Sequence, residues 1–329
     1  DNARCIASTR GWLGFISHDD LYLSKPHSAD QLIQLPSIET LPSVLGVKTN
    51  GMGVSEFILS NGYLSPEVMG HFALSSDDPS DKNCILMARQ GLTKQLAFCR
   101  PGKEEDAWTA LDGSELSYGQ IVHSEKDQLF YNILANECIE AWDVCDPTSP
   151  KRTNFVYKPL LLPLEFDKSE IMLRDQCRTK HYLVIDERSG DLLLVVRYYA
   201  DHVAEDGTIV DEDLTNTLPY RTQRFDVYEV DFARKRVKYV NCLQDDLALF
   251  LGLNHSFVVS THDFPMLKGN SIYFTDDNTE VIHSEKYPYG GHDLGIFHLE
   301  DNSITSCYPF FDESEKIETP LFWVAPSFD

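Results

Sequence analysis

Short apolar runs recur along the whole chain, and many of them alternate with polar residues. The runs are rich in Val, Ile, Tyr, Phe and Leu, and they end at Gly, Asn, Asp or Pro. This composition is typical of half-buried strands joined by turns. No window keeps an apolar period of about 3.6 residues over three turns, although residues 64–70 could form one short helical turn. The pattern therefore predicts an all-β fold with little helix.

The predicted strands fall into five successive groups. They cover residues 5–8, 12–17, 21–24 and 31–35; 68–74, 84–88, 95–99 and 108–111; 119–123, 128–134, 138–144 and 154–161; 181–186, 191–199, 225–231 and 236–243; and 249–260 with a break at Asn254, 271–275, 294–299 and 304–308. Repetition of a four-strand unit is typical of a β-propeller. A last run, residues 321–325, is expected to pair with the first blade and close the ring. The sequence therefore predicts one domain over residues 1–329, a single closed β-propeller of five or six blades.

Three irregular segments interrupt the strand pattern, at residues 36–66, 200–221 and 277–293. The first contains glycines and scattered apolar residues, and it could hold a degenerate sixth blade. The third separates two strands of one blade, so it must leave the sheet and return. A loop that is anchored at both ends presents side chains at little ordering cost, which favours binding.

The candidate partner-binding residues lie in and beside this third segment. Aromatic side chains on loops above a rigid scaffold are common binding hot spots. Packing of the two tyrosines on their own blade is an equally good interpretation, and the His-Asp pair could cap a turn. No catalytic residue and no metal ligand is assigned. The candidates are Tyr287, Tyr289, His292, Asp293, Asp276 and Asp277.

The chain is strongly acidic. Its 329 residues include 28 Lys and Arg against 52 Asp and Glu, which gives a net charge of −24. Long-range repulsion disfavours nucleic acid and anionic lipid as ligands and favours basic protein partners. Residues 201–213 hold six carboxylates whose spacing does not fit a calcium loop. They indicate a solvated insertion or a docking loop for a basic partner, and the basic run 234–236 with Lys238 is expected at an exposed hairpin tip.

The eight cysteines are scattered, without a C-x-x-C pair. Buried reduced thiols in a reducing compartment are expected, because a chain of this size does not need disulfides. No apolar run reaches the roughly 18–20 residues that span a bilayer, and the N-terminal residues lack a signal-peptide core. The expected location is the cytoplasm or nucleus, or an organelle if an N-terminal targeting segment has been removed.

Known catalytic and nucleotide-binding motifs are absent from the sequence, including G-x-S-x-G, G-x-x-x-x-G-K and H-E-x-x-H. The histidines most like metal ligands are His255 with His262, and His283 with His292, and neither pair has the short spacing of a metal site. No metal and no cofactor is therefore expected. Catalytic groups contributed by separate blades stay open as an alternative.

Four motifs occur in the order of a known plant family. GWLGF begins at Gly11, LAFCRPGKEEDAWTALD at Leu96, RFDVYEVDF at Arg224, and ALFLGLNHSFVVSTHDFPMLKGNSIYFTDD at Ala248. Their order resembles the plant F-box-associated propeller family of unknown function, domain two-nine-five, which includes the KIB regulators of shaggy-like kinases. In that family an F-box precedes the first motif, whereas only ten residues precede it here. The resemblance therefore implies a propeller that is either part of a longer chain or an F-box-free member.

The resemblance implies a function as well as a fold. It favours a non-enzymatic protein-recognition propeller, similar to the substrate-binding domain of an F-box subunit of a ubiquitin ligase. A shaggy-like kinase is the implied partner, and a Skp-type adaptor is implied only if the full-length protein carries an F-box. Two alternatives stay open: a propeller hydrolase that uses carboxylates and a metal, and an F-box-free organellar scaffold.

Overall fold

The chain divides into two compact units. Unit 1 comprises Asp1–Val156 with Val324–Asp329, and unit 2 comprises Tyr157–Trp323. The prediction of one domain over the whole chain stays a prediction. The computed structural model describes residues 4–17, 20–26, 28–49, 51, 55–60, 64–65, 69–91, 95–102, 107–113, 116, 118–156, 166–211, 218–278, 290–307, 316–317, 321 and 323–326.

The described residues of unit 1 form four sheets. The first is an antiparallel meander of β1 (Arg4–Thr9), β2 (Trp12–Ser17), β3 (Asp20–Lys25) and β4 (Ser28–Gln34). After a 3-10 helix (Ile38–Thr40), the second contains β5 (Val44–Thr49), β6 (Ser55–Leu59) and β7 (Leu64–Ser65). The third contains β8 (Met69–Leu74), β9 (Leu86–Gln90), β10 (Gln95–Cys99) and β11 (Thr109–Ala110). The fourth contains β12 (Tyr118–Ser124), β13 (Leu129–Leu134), β14 (Cys138–Asp143) and β15 (Lys151–Val156).

Alternation along the strands of unit 1 places apolar side chains in two cores. One core includes Trp12, Phe72 and Trp108, and the other includes Phe130 and Trp142. A buried indole usually donates its N–H group to a hydrogen-bond partner. Trp12 Nε1 donates to the carbonyl oxygen of Asp77 at 2.9 Å, and Trp108 Nε1 donates to that of Pro36 at 3.1 Å. These bonds fix the loops around both rings.

The described residues of unit 2 form two sheets and one α-helix. The first sheet is an antiparallel meander of β16 (Arg178–Asp186), β17 (Asp191–Ala200), β18 (Arg221–Asp231) and β19 (Arg236–Val240). The second contains β20 (Leu247–Leu251), β21 (Phe257–Ser260), β22 (Ser271–Phe274), β23 (Gly295–His298) and β24 (Ser303–Ser306), in the order β21-β20-β22-β23-β24. Strands β20 and β22 are parallel, and the other pairs are antiparallel.

Five sheets of four or five strands match the five predicted strand groups. The bounds of β2 and β10 agree with the prediction residue for residue, and most others agree within a few residues. The fifth group needs a correction, because residues 249–260 form the two antiparallel strands β20 and β21 rather than one broken strand. The insert at 36–66 contains the three-stranded sheet β5–β7.

The α-helix α1 (Lys168–Asp175) was not predicted. Its two turns are too short to show an apolar period, and a buried ion pair anchors it. Arg174 donates from Nε and Nη2 to the two carboxylate oxygens of Asp226 in β18, at 2.8 and 2.7 Å. The N-terminal cap was the available signal, since the Asp167 side chain accepts from the Glu170 N–H group.

Two further local predictions are wrong. Residues 64–65 and 69–70 lie in strands β7 and β8, so the helical turn predicted at 64–70 is not found in the described part of that segment. The described residues of the segment 321–325 form no strand. Instead the Trp323 ring packs edge-on against Phe250 of β20, and its Nε1 donates to the carbonyl oxygen of Leu251 at 3.0 Å.

The cysteines are free but less buried than predicted. Cys84, Cys99 and Cys138 are buried. Exposed thiols occur at Cys145, Cys242 and Cys307, and the remaining two are half-buried. The exposed thiols lie just after the ends of β14, β19 and β24. Among the residues that the structure describes, no helix is both long and apolar enough to cross a bilayer.

Candidate partner-binding site

The two ends of the segment 277–293 meet in a buried polar network of unit 2. Asp276 and Asp277 follow β22, and His292 and Asp293 precede β23. All four are buried, with at most 9% of their surface exposed. Strands β22 and β23 are antiparallel neighbours, so the four residues lie at the same end of the sheet. Tyr287 and Tyr289 lie outside the described residues.

Arg197 of β17 is the centre of this network, which we call the Arg197 network. Its Nη1 lies 3.1 Å from Asp277 Oδ1, and its Nη2 lies 2.9 Å from Asp293 Oδ2. The same guanidinium donates to the carbonyl oxygens of Thr275 and Asp293 and, from Nε, to Thr222 Oγ1 at 2.8 Å. These hydrogen bonds and ion pairs replace the ones that the Arg197 guanidinium would make with water, and so they offset the cost of its desolvation.

The carboxylates have further partners besides Arg197. Asp277 accepts from the Tyr182 hydroxyl at 3.0 Å and pairs with Lys180 Nζ at 2.9 Å. Asp293 accepts from the Thr222 backbone N–H group and, at 2.7 Å, from the Thr222 hydroxyl. These bonds tie both ends of the segment to the starts of β16 and β18 and to the end of β17.

Asp276 occupies a different position in the network. Its Oδ2 accepts from the Tyr220 hydroxyl and from the Asp293 backbone N–H group, the latter at 3.1 Å. Beside it, Arg221 Nη1 donates to the carbonyl oxygen of His292 at 2.9 Å. Tyr220 and Arg221 therefore hold the segment from the side of β18.

The pKa values of the adjacent carboxyls of Asp276 and Asp277 are shifted in opposite directions. Burial would raise the pKa of Asp277, but the charges of Lys180 and Arg197 outweigh it and hold that pKa below its usual value. Burial and the nearby Asp293 carboxylate raise the pKa of Asp276 above its usual value. Asp277 is therefore stabilised as the anion, and Asp276 is the carboxyl of the network that binds a proton more readily.

The sequence placed Asp276, Asp277, His292 and Asp293 in one candidate site, and the structure brings them together. Their burial means that they support the base of the segment in the described structure. A direct role in binding a partner stays a prediction for these four residues and for the two tyrosines. Sequence reasoning missed Arg197, although an arginine inside the apolar run LLLVVRYYA was a signal, because a buried guanidinium requires carboxylate partners.

The basic run 234–236 and residues 201–211 of the acidic segment also lie within the described part of unit 2. The basic tip joins β18 to β19 and is exposed, as predicted. Residues 201–211 form a compact turn, in which Val203 bridges Ile209 and Ala204 N–H donates to the Thr208 carbonyl oxygen at 2.9 Å. Within the described residues, no group of three or more His, Cys, Asp or Glu side chains is arranged to hold a metal ion.

Residues 1–298 match the KIB1-4 beta-propeller family. The chain belongs to this family. Its five sheets of four or five strands are accordingly the blades of a β-propeller. This agrees with the resemblance that the sequence motifs indicate. A comparison with curated proteins finds no significant match.

A comparison with solved structures finds matches that are distant in sequence. A streptogramin B lyase is 9% identical, with 94% of this chain and 85% of that chain covered and a TM-score of 0.35. The Cps50 (Swd1) beta-propeller domain of Myceliophteria thermophila is 9% identical, with 92% and 85% covered and a TM-score of 0.37. The Dos1 propeller is 10% identical, with 92% and 83% covered and a TM-score of 0.35. Scores this low carry no argument about function.

Proposed function

We propose that this chain is a non-enzymatic protein-recognition propeller. The observation that carries the proposal is the match to the KIB1-4 beta-propeller family over residues 1–298. Propeller blades form a stiff platform, and loops on such a platform bind partners at a low cost in conformational entropy. The net charge of −24 favours partners with basic surfaces.

The finer proposal follows the resemblance to F-box-associated relatives. The propeller closes into a ring, works in the cytoplasm or nucleus, and acts as the substrate-binding part of a ubiquitin ligase subunit. The proposed partner class is the shaggy-like kinases. A Skp-type adaptor joins only if the full-length protein carries an F-box.

The Arg197 network supports a binding role for the segment that it anchors. A segment whose two ends are held by buried ion pairs starts from fixed positions, so fewer conformations are lost on binding. Tyr287 and Tyr289 are the proposed contact residues in it. Each tyrosine that is fully desolvated against a partner could contribute about 2 kcal/mol, or about thirtyfold in affinity.

Calorimetric titration of the purified chain with a purified shaggy-like kinase tests the proposal. We expect a saturable complex, and we expect the double variant Tyr287→Ala, Tyr289→Ala to lose it while melting within a few degrees of the wild type. Met172→Ala, which changes an exposed residue of α1, is the control that should bind normally. Absence of a complex with the folded wild-type chain would refute the kinase as partner. Recovery of a Skp-type adaptor with the full-length protein from its native source would support the ligase role.

A further inference from the structure

An exposed apolar loop projects from the end of the β20–β24 sheet opposite the Arg197 network. The pairs Leu247 with Ser260 and Ser271 with His298 show that β20 and β22 begin, and β21 and β23 end, at this end of the sheet. Residues 261–270 connect β21 to β22 there. Met266 at the tip is 91% exposed, the largest value among the exposed large apolar side chains of the described residues.

The backbone of this loop is held firmly although its tip is exposed. Thr261 N–H donates to the Asp246 carbonyl oxygen at 2.8 Å, and Leu267 N–H donates to that of Phe264 at 3.0 Å. On the return side, Lys268 N–H donates to the Tyr273 hydroxyl at 2.8 Å. Asn270 N–H donates to the Leu247 carbonyl oxygen at 2.7 Å. Met266 is therefore presented by a pre-organised loop, so its burial by a partner costs little backbone entropy.

Close backbone packing adds to this rigidity at one position. A Cβ atom at Gly269 would lie 1.8 Å from the carbonyl oxygen of Asp245, so only glycine fits there. The end of the loop that leads into β22 therefore packs directly against the connection that leads into β20. Because Met266 is 91% exposed, its side chain does not pack within its own sheet.

Four acidic side chains lie at the same end of the sheet as Met266. Asp245 precedes β20, Asp263 lies in the loop, and Glu300 and Asp301 form the turn between β23 and β24; all four are exposed. Lys268 is the one lysine or arginine of the loop. A flexible, polarisable methionine at the same end of a sheet as four exposed carboxylates is complementary to a segment that combines apolar with basic side chains.

We propose that this end of unit 2, the Met266 surface, binds a basic segment of a protein partner. The apolar side chains of that segment pack on Met266, and its lysines and arginines pair with the four carboxylates. The inference rests on the proposed function as a protein-recognition propeller, and it specifies a binding surface and the chemistry of the segment bound. Met266 supplies the buried contact, and the carboxylates select for positive charge.

A selection from a library of random 16-residue peptides on the immobilised full chain tests this proposal without any kinase. We expect the enriched peptides to carry Lys or Arg beside apolar residues and to bind more weakly as salt is raised. Met266→Ser should weaken the best peptides at least about tenfold, as expected for a hot-spot side chain. Met172→Ser is the matched control, since Met172 is also exposed, at 62%, but lies on α1.

The charge contribution is tested with a second matched pair. Asp263→Lys should weaken the same peptides severalfold, whereas Asp175→Lys, at an exposed carboxylate of α1, should not. Absence of basic enrichment, or equal loss with Met266→Ser and Met172→Ser, would overturn the proposal. Because the library contains no kinase, failure of kinase binding refutes only the kinase as the partner of the proposed function, and failure of the selection refutes only the Met266 surface.

Discussion

Two arginines of the β16–β17 hairpin pair with aspartates at opposite ends of unit 2, and the two ion pairs contribute differently to stability. Arg188, in the turn, lies 2.7 Å from Asp246, and 44% of its side chain is exposed. Arg197 lies farther from its carboxylates, at 2.9 and 3.1 Å, but its side chain is only 3% exposed. Distance alone would rank the exposed pair as the stronger one. Burial and the number of hydrogen bonds reverse that order, because water and salt screen the exposed charges.

The comparison separates the buried Arg197 end of unit 2, where hydrogen bonds and ion pairs stabilise the fold, from the opposite Met266 end, where side chains are exposed. At the Arg197 end, five elements are joined by bonds that water cannot replace without unfolding. At the Met266 end, exposed ion pairs and an exposed methionine can be changed with little loss of structure. Substitutions in the Arg197 network should therefore lower the free energy of unfolding more than substitutions of exposed side chains at the Met266 end.

The largest expected effect is that of Arg197→Leu. It leaves Asp277 and Asp293 buried without their guanidinium partner, which typically costs about 3–5 kcal/mol. Urea unfolding followed by circular dichroism measures the loss. Arg188→Leu is the control for the same change at an exposed site. A urea midpoint for Arg197→Leu equal to that of the wild type would show that the network does not stabilise unit 2.

Trp323→Ala should have the next largest effect. The substitution removes the edge-on contact with Phe250 and the bond from Nε1 to the Leu251 carbonyl oxygen. Because the ring is half-buried, we expect a loss of about 2 kcal/mol, less than for a fully buried tryptophan. Trp323→Phe keeps a ring and should lose about 1 kcal/mol through the missing hydrogen bond. Equal free energies of unfolding for the wild type, Trp323→Ala and Trp323→Phe would mean that Trp323 does not stabilise the β20–β24 sheet.

The two adjacent carboxyls of the network should give opposite pH dependences. The pKa of Asp277 is lowered, so its contribution is complete above the unfolded-state pKa of about 3.9 and is lost as the pH falls through the folded value. The pKa of Asp276 is raised by burial and by Asp293, so stability is lost as the pH rises from about 3.9 through the folded value.

Urea titrations of the wild type, Asp276→Asn and Asp277→Asn across this range check the signs. The stability advantage of the wild type over Asp276→Asn should shrink as the pH rises above about 4. Its advantage over Asp277→Asn should shrink only below about pH 4. Parallel profiles for the two variants would contradict the assignment of opposite charge preferences.

The smallest expected effect is that of Arg188→Leu. The Arg188 guanidinium is largely hydrated and can lose Asp246 without leaving a buried charge. We expect no resolvable change in the urea midpoint, in low or high salt. A clear destabilisation that disappears in high salt would show that the exposed end also contributes to folding, and it would weaken the comparison.

The strand pattern was predictable because period-2 alternation is local, as the agreement at β2 and β10 shows. The Arg197 network was not, since its partners are 80 and 96 residues away in the chain and only the folded sheet order brings them together. Helix α1 was missed because ion pairs of Arg174 and Glu170 with β18, rather than an apolar stripe, anchor it. The composition of residues 321–325 predicts a strand, but the Trp323 ring instead packs against Phe250 of β20.

The most direct test of this comparison is a pair of double-mutant cycles on the free energy of unfolding, one on Arg197 with Asp293 and one on Arg188 with Asp246. Contacting residues of a buried network typically couple by about 0.5–3 kcal/mol. We expect the Arg197–Asp293 coupling to lie in the upper part of that range and the exposed pair to show none beyond experimental error. Equal coupling in the two cycles would contradict the distinction between the buried, stabilising Arg197 end of unit 2 and its exposed Met266 end.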